Sequence, residues 1–192
     1  MNRCLTIIVA GIALWLGAFA APVQAQKLHT DLKGFAEVPA NSTVAHGEFQ
    51  AEIINDTTIA YELTYSGLED TVRQAHIHFG QRSVAAGISL WLCQTATNLD
   101  PTGLAPTCPQ TAQGATTVKG NLTRFNLVGP SAQGIAGGAT GGTAAEFAEI
   151  IAAIRAGMTY ANVHSTKFPS GEIRGQIKVR GRHDEQHENS GN

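Results

Sequence analysis

The stretch GEFQAEIINDTTIAYELTYSGL, Gly47 to Leu68, decides the fold class. Phe49, Ala51 and Ile53 alternate with Glu48, Gln50 and Glu52; then Ile59, Tyr61, Leu63 and Tyr65 alternate with Glu62 and Thr64. Strict period-two alternation is the mark of strands with one buried and one wet face. Asn55-Asp56-Thr57 supplies turn chemistry between the two runs, so they are expected to pair as a hairpin.

The same pattern recurs outward from this hairpin. A strand is expected near LHTDLKGF before it, and others at QAHIHFG, ISLWLCQ, TVKGNLTR, TYANVHS and GEIRGQIKV after it. About eight strands at this spacing imply an all-β antiparallel Greek-key sandwich or barrel, superoxide dismutase-like or immunoglobulin-like in architecture. One segment departs from it. In TAAEFAEIIAAIRAG, Phe147, Ile150, Ile151 and Ile154 fall on one helical face, with Thr143 and Glu146 as a capping box and Gly157 at the C-terminal cap. A short helix inserted between strands, covering an open edge or one end of the core, is the expectation. The preceding GPSAQGIAGGATGG is too glycine-rich for a regular element and reads as a flexible surface loop. It belongs to no parallel βαβ unit and lacks the Gly-Lys-Ser/Thr of a phosphate-cradling loop.

The chain opens MNRCLTIIVAGIALWLGAFAAPVQAQ: Arg3, an apolar run from Leu5 to Ala21, Pro22, then Val23-Gln24-Ala25. This is the pattern of a secretory signal, residues 1–25, cut after Ala25, with an uncleaved anchor as the alternative. Cys4 precedes the apolar run and leaves with it. Residues 26–180 form one domain's worth of chain, and the polar RGRHDEQHENSGN at the end implies a disordered tail over residues 181–192. His183 and His187 lie in that tail and read as solvated. The mature chain carries 12 of the 13 Lys and Arg and all 15 Asp and Glu, with no basic stripe, so neither nucleic acid nor an anionic membrane is an expected partner.

Cys93 and Cys108 remain after processing and flank a Pro- and Thr-rich segment. An even pair in an exported protein implies a disulfide pinning an irregular loop, with a thiolate metal site as the alternative. Secreted or periplasmic localisation follows from the same two features.

Candidate chemistry centres on histidines. On a strand, residues two apart share a face about 6.5–7 Å apart, so His76 and His78 point one way while Ala75, Ile77 and Phe79 take the core side. By the same test Tyr160, Asn162 and His164, and Glu172 and Arg174, face outward from strands whose Ala161, Val163 and Ile173 face inward. If these strands are neighbours, His76, His78 and His164 form a three-imidazole set suited to copper or zinc, with Arg174 and Glu172 beside it. A purely structural use is the competing reading: Arg174 pairing with groups near Glu172 or with Glu62, and the histidines bonding carbonyls of the Gly-rich loop. His29 and His46 have no such partners and read as surface residues.

Three segments, LKGFAEVPANSTVAHGEFQAEI, YELTYSGLEDTVRQAHIHFG and YANVHSTKFPSGEIRGQIKV, resemble the CHRD domain, the module named from chordin. Its most specific pieces are Ala75-His76-Ile77-His78, Val163-His164 and Gly171-Glu172-Ile173-Arg174-Gly175. The resemblance spans about Leu28 to Val179 and implies an extracytoplasmic β-rich module. Chordin's cysteine-rich repeats have no counterpart, so growth-factor antagonism is not carried over. A weaker similarity is to Cu,Zn superoxide dismutase, where His76, His78, His164 and Arg174 match three copper-binding histidines and the anion-guiding arginine in order. No histidine lies between Phe79 and Val163, so the bridging imidazole and zinc subsite are missing, which argues against dismutase activity. No nucleophile-base pairing or paired-carboxylate motif points to another enzyme. Two readings stand: a non-enzymatic module binding an undefined protein, surface or matrix ligand, or a mononuclear copper or zinc site that stores metal or is redox-active.

Overall fold

A computed structural model describes residues 25–110 and 114–181, so the expected leader up to Gln24 and the expected tail from Arg182, with His183 and His187, lie outside the described residues. Nine strands form one antiparallel sheet: β1 (Gln26–Lys33), β2 (His46–Asn55), β3 (Thr58–Ser66), β4 (Val72–Phe79), β5 (Ile88–Cys93), β6 (Thr116–Leu122), β7 (Thr159–Ser165), β8 (Ile173–Gln176) and β9 (Lys178–Val179). The order is β5-β4-β7-β8-β1-β2-β3-β6, with β9 also on β1. An isolated bridge between Leu90 and Leu127 brings the two ends of this order together, so the sheet is nearly closed into a barrel.

The hairpin read from Gly47–Leu68 is β2-β3, in register from His46 opposite Ser66 to Ile53 opposite Ile59. Asn55 Oδ1 accepts from the Thr57 backbone N–H at 2.9 Å and from its hydroxyl at 2.7 Å, which fixes the turn. Phe49, Ile53, Ile59, Leu63 and Tyr65 from this hairpin are fully buried beside Leu32, Ile77, Leu90, Val163 and Ile173. Period-two alternation has here done what it does physically, turning one face of every strand into the barrel filling.

The helix α1 (Ala144–Arg155) starts with the expected capping box, Thr143 Oγ1 accepting from Glu146 N and Glu146 Oε2 accepting from Thr143 N. Phe147, Ile150, Ile151 and Ile154 join the barrel core. Gly157 follows in the left-handed region, φ 70°, one residue beyond the cap residue Ala156. Cys93 and Cys108 are joined by a disulfide that closes the loop between them, so the thiolate-site alternative does not hold.

Two expectations need correction. The Gly-rich segment is tied down: Ile135 is buried, Gly138 N–H bonds Leu127 O, Gly142 N–H bonds Arg124 O, and Ala136 N–H bonds Glu146 Oε1. Its glycines let backbone pass against backbone, since a Cβ at Gly137 would meet the Leu127 carbonyl at 2.8 Å. The polar face of β4, β7 and β8 is likewise no wet surface. Every residue of β7 is buried, because the loop after β1, the 80–87 loop and the β7-β8 turn fold over that face.

Candidate metal centre

β4 and β7 are direct neighbours, with His76 opposite Asn162 and Gln74 opposite His164, and β8 continues the row with Arg174 opposite Asn162. This register places His76, His78, Asn162, His164 and Arg174 on one face of three adjacent strands, the face opposite Ile77, Ala161, Val163 and Ile173. Under their loop cover His76 is fully inaccessible, and His78 and His164 are each 6% exposed.

The three imidazoles converge. One nitrogen from each lies within 4.8 Å of the others, and His76 Nδ1 is 3.2 Å from His164 Nε2. Three nitrogens bound tetrahedrally at about 2.0–2.1 Å stand about 3.4 Å apart, so small side-chain rotations would close this set on one ion.

Hydrogen-bond partners fix the tautomers. A carbonyl can only accept, so the contacts of His78 Nδ1 with Ala86 O (2.8 Å) and of His164 Nδ1 with Pro169 O (3.0 Å) place the proton on Nδ1 in both rings. Nε2 is thereby left as a bare lone pair in each. His164 Nε2 faces His76 Nδ1 and, at 3.1 Å, Asn162 Oδ1, a second acceptor that makes no hydrogen bond to a bare lone pair; His78 Nε2 and His76 Nε2 have no partner although buried. An unmatched buried polar atom costs about 1–3 kcal/mol, and a metal-binding histidine usually gives its other ring N–H to a carbonyl in this manner.

Burial pulls the His78 and His164 imidazoles down to about 4, and takes His76 well below its ordinary value with further push from the charges of His164 and His78. All three rings are therefore neutral at pH 7, and no proton competes with a cation for them.

Aromatic groups wall the cluster. Trp91 on β5 meets His76 edge-on with centroids 4.3 Å apart, and Tyr160 stacks on His78 at 4.7 Å with planes 2° apart. Arg174 lies 3.4 Å over the Tyr160 ring and donates from Nη2 to Gln81 O at 3.2 Å. It is thus held by an aromatic face and a carbonyl rather than by Glu62, which pairs with Lys119 at 2.7 Å. Glu172, also buried, turns its Oε1 to the Thr43 hydroxyl (2.7 Å) and the Glu69 N–H (2.8 Å), fastening the loop after β1 instead of reaching the histidines. The carbonyls that hold the histidines belong to the 80–87 loop and the β7-β8 turn, not to the Gly-rich loop.

Reading the sequence missed two neighbours. Trp91 alternates against the core residues Leu90 and Leu92 and so belongs to the histidine face, a signal available in ISLWLCQ itself. Glu37 gave no such signal, because it arrives from the irregular segment following β1. Its carboxyl is pushed up to about 7 by burial, against the pull of Arg174 and hydrogen bonds from the Val38 backbone and Asn162. His46, the first residue of β2, bonds Ser66 Oγ at 2.9 Å, and His29 sits on β1; neither joins the cluster.

Fold and site together define an all-β module, a nearly closed antiparallel barrel with a loop-covered histidine face. Residues 28–177 match the model of the CHRD domain, and the chain belongs to that family. No curated protein and no solved structure matches the chain. Among the described residues no helix is long and apolar enough to cross a membrane.

Proposed function

We propose that this is an exported CHRD-domain protein that binds one transition-metal ion, of the copper or zinc class, through His76, His78 and His164. The observation that carries the reading is the convergence of three buried, neutral imidazoles, two of which, His78 and His164, already commit their outward N–H groups to Ala86 O and Pro169 O. Neutral nitrogen donors held by carbonyls suit such ions and not calcium or magnesium, which take oxygen ligands. Export is supported by the leader pattern of residues 1–25 and by the Cys93–Cys108 disulfide, which persists in oxidising compartments.

The broader reading, a non-enzymatic module for a protein, surface or matrix ligand, has the family membership in its favour but no located surface. Metal storage or delivery fits both. Arg174 is 3% exposed and clamped on Tyr160, an arrangement that favours a structural and electrostatic part in the site over the guiding of anions from solvent.

The test is elemental analysis of protein purified from an oxidising compartment, beside a His76→Ala/His78→Ala double variant checked for folding by circular dichroism. The expected result is about one equivalent of copper or zinc in the first and a small fraction of that in the second. Equal metal content in the two folded proteins overturns the reading.

A further inference from the structure

We infer that the three-histidine site selects monovalent copper over divalent copper and zinc, an inference that rests on the metal-binding reading above and names the ion it takes. Charge is the first ground. The convergent ligand atoms are all neutral nitrogens, with no carboxylate or thiolate among them. An ion held there keeps its whole charge inside a protein layer where the rings are 0–6% exposed. The cost of placing charge in such a medium grows with the square of the charge, so a divalent ion costs about four times what a monovalent one does.

Neighbouring charges reinforce this. Arg174 stands on the Tyr160 ring that stacks on His78, and its positive charge is already felt at His78, where it disfavours a further cation. Glu37 is a buried acid that acts on Arg174 and is bonded by Asn162. Burial holds its carboxyl near 7, so at neutral pH it offsets Arg174 only in part. Glu172 is turned toward Thr43 and Glu69.

Coordination number is the second, independent ground. Zinc sites are four-coordinate and divalent copper favours tetragonal sets of nitrogen and oxygen donors. Monovalent copper, with a filled d shell and no ligand-field demand, is satisfied by three imidazoles. At this site Trp91 sets ring surface against His76 and Tyr160 against His78, and the neutral amide oxygen of Asn162 lies 3.1 Å from His164 Nε2, so the lining offers an uncharged oxygen rather than an anionic fourth donor. The usual order of divalent affinities places copper(II) above zinc, so copper(II) is the stronger of the two divalent competitors.

The test is a set of competition titrations on the metal-free, disulfide-intact chain. Copper(I) is kept reduced with ascorbate under anaerobic conditions and competed with bathocuproine disulfonate; copper(II) and zinc are each competed with a chelator of matched strength. The expected result is copper(I) binding at least 100-fold tighter than either divalent ion. For the copper couple that ratio raises the reduction potential by about 120 mV over the aqueous ions. Arg174→Gln, whose folding is checked separately, is expected to narrow the ratio by strengthening divalent binding. Divalent binding as tight as or tighter than copper(I) binding in the wild-type chain overturns the selectivity and leaves the metal site standing. Failure of all three ions to bind overturns both.

Discussion

Lowering the pH should destabilise the metal-free protein through its buried histidines. His78 and His164 titrate near 4 in the folded chain and near 6.5 when unfolded. Between those values the unfolded chain binds more protons, so stability rises with pH and is lost as pH falls from 6.5 toward 4. A fall from 6.5 to about 4 corresponds to about 3 kcal/mol for each ring, and His76 acts in the same direction. Glu37 opposes them. Its folded value near 7 lies above the ordinary 4.5, so the folded chain gains stability as pH falls through that window, again by about 3 kcal/mol. The net expectation is a loss of at least about 3 kcal/mol between pH 7 and pH 4, a large part of the 5–15 kcal/mol typical of a domain. Urea unfolding of chelator-treated protein in half-unit pH steps measures it. Glu37→Gln should steepen the loss and a His78→Gln/His164→Gln variant should flatten it. Stability that is constant or increases from pH 7 to pH 4 in the wild-type chain would refute the reasoning.

Other perturbations test the frame that holds the site. Replacing Cys93 and Cys108 by Ser opens a loop of 15-residue separation and should cost about 3 kcal/mol, read as a lowered urea midpoint that reduction of the wild-type protein reproduces. Phe147→Ala removes a fully buried ring from α1 and should cost about 3–5 kcal/mol by the same assay. Thr143→Ala removes the helix cap and should cost only about 1 kcal/mol. At Gly175 an added Cβ would collide with the Asp31 carbonyl and the Thr30 hydroxyl of β1, so Gly175→Ala should lower the thermal midpoint and weaken metal retention together by parting β8 from β1.

How much of this was legible in the sequence differs between frame and site. Strand alternation is a local property, and Phe49, Ile53, Leu63, Ile77 and Val163 went to the core as the pattern required. Thr143, Glu146 and the Cys93–Cys108 pair were equally readable, because a capping box and an even cysteine pair are short-range signatures. Alternation also placed His76, His78 and His164 on one face. It could not say what covers that face. The cover comes from segments without period, which bring Ala86 and Pro169 onto the histidines and Glu37 to Asn162 and Arg174 by long-range packing. Burial in turn makes the rings neutral and turns Arg174 from a wet residue into one clamped on Tyr160.

X-ray absorption at the copper edge, recorded on reduced protein loaded with one equivalent of copper(I), looks at the site itself. Three imidazole nitrogens at about 2.0 Å with no oxygen or sulfur in the shell is the predicted spectrum, reduced to two nitrogens in His164→Ala. A shell with fewer than three imidazoles in the wild-type chain, or one that His164→Ala leaves unchanged, would contradict the three-histidine centre.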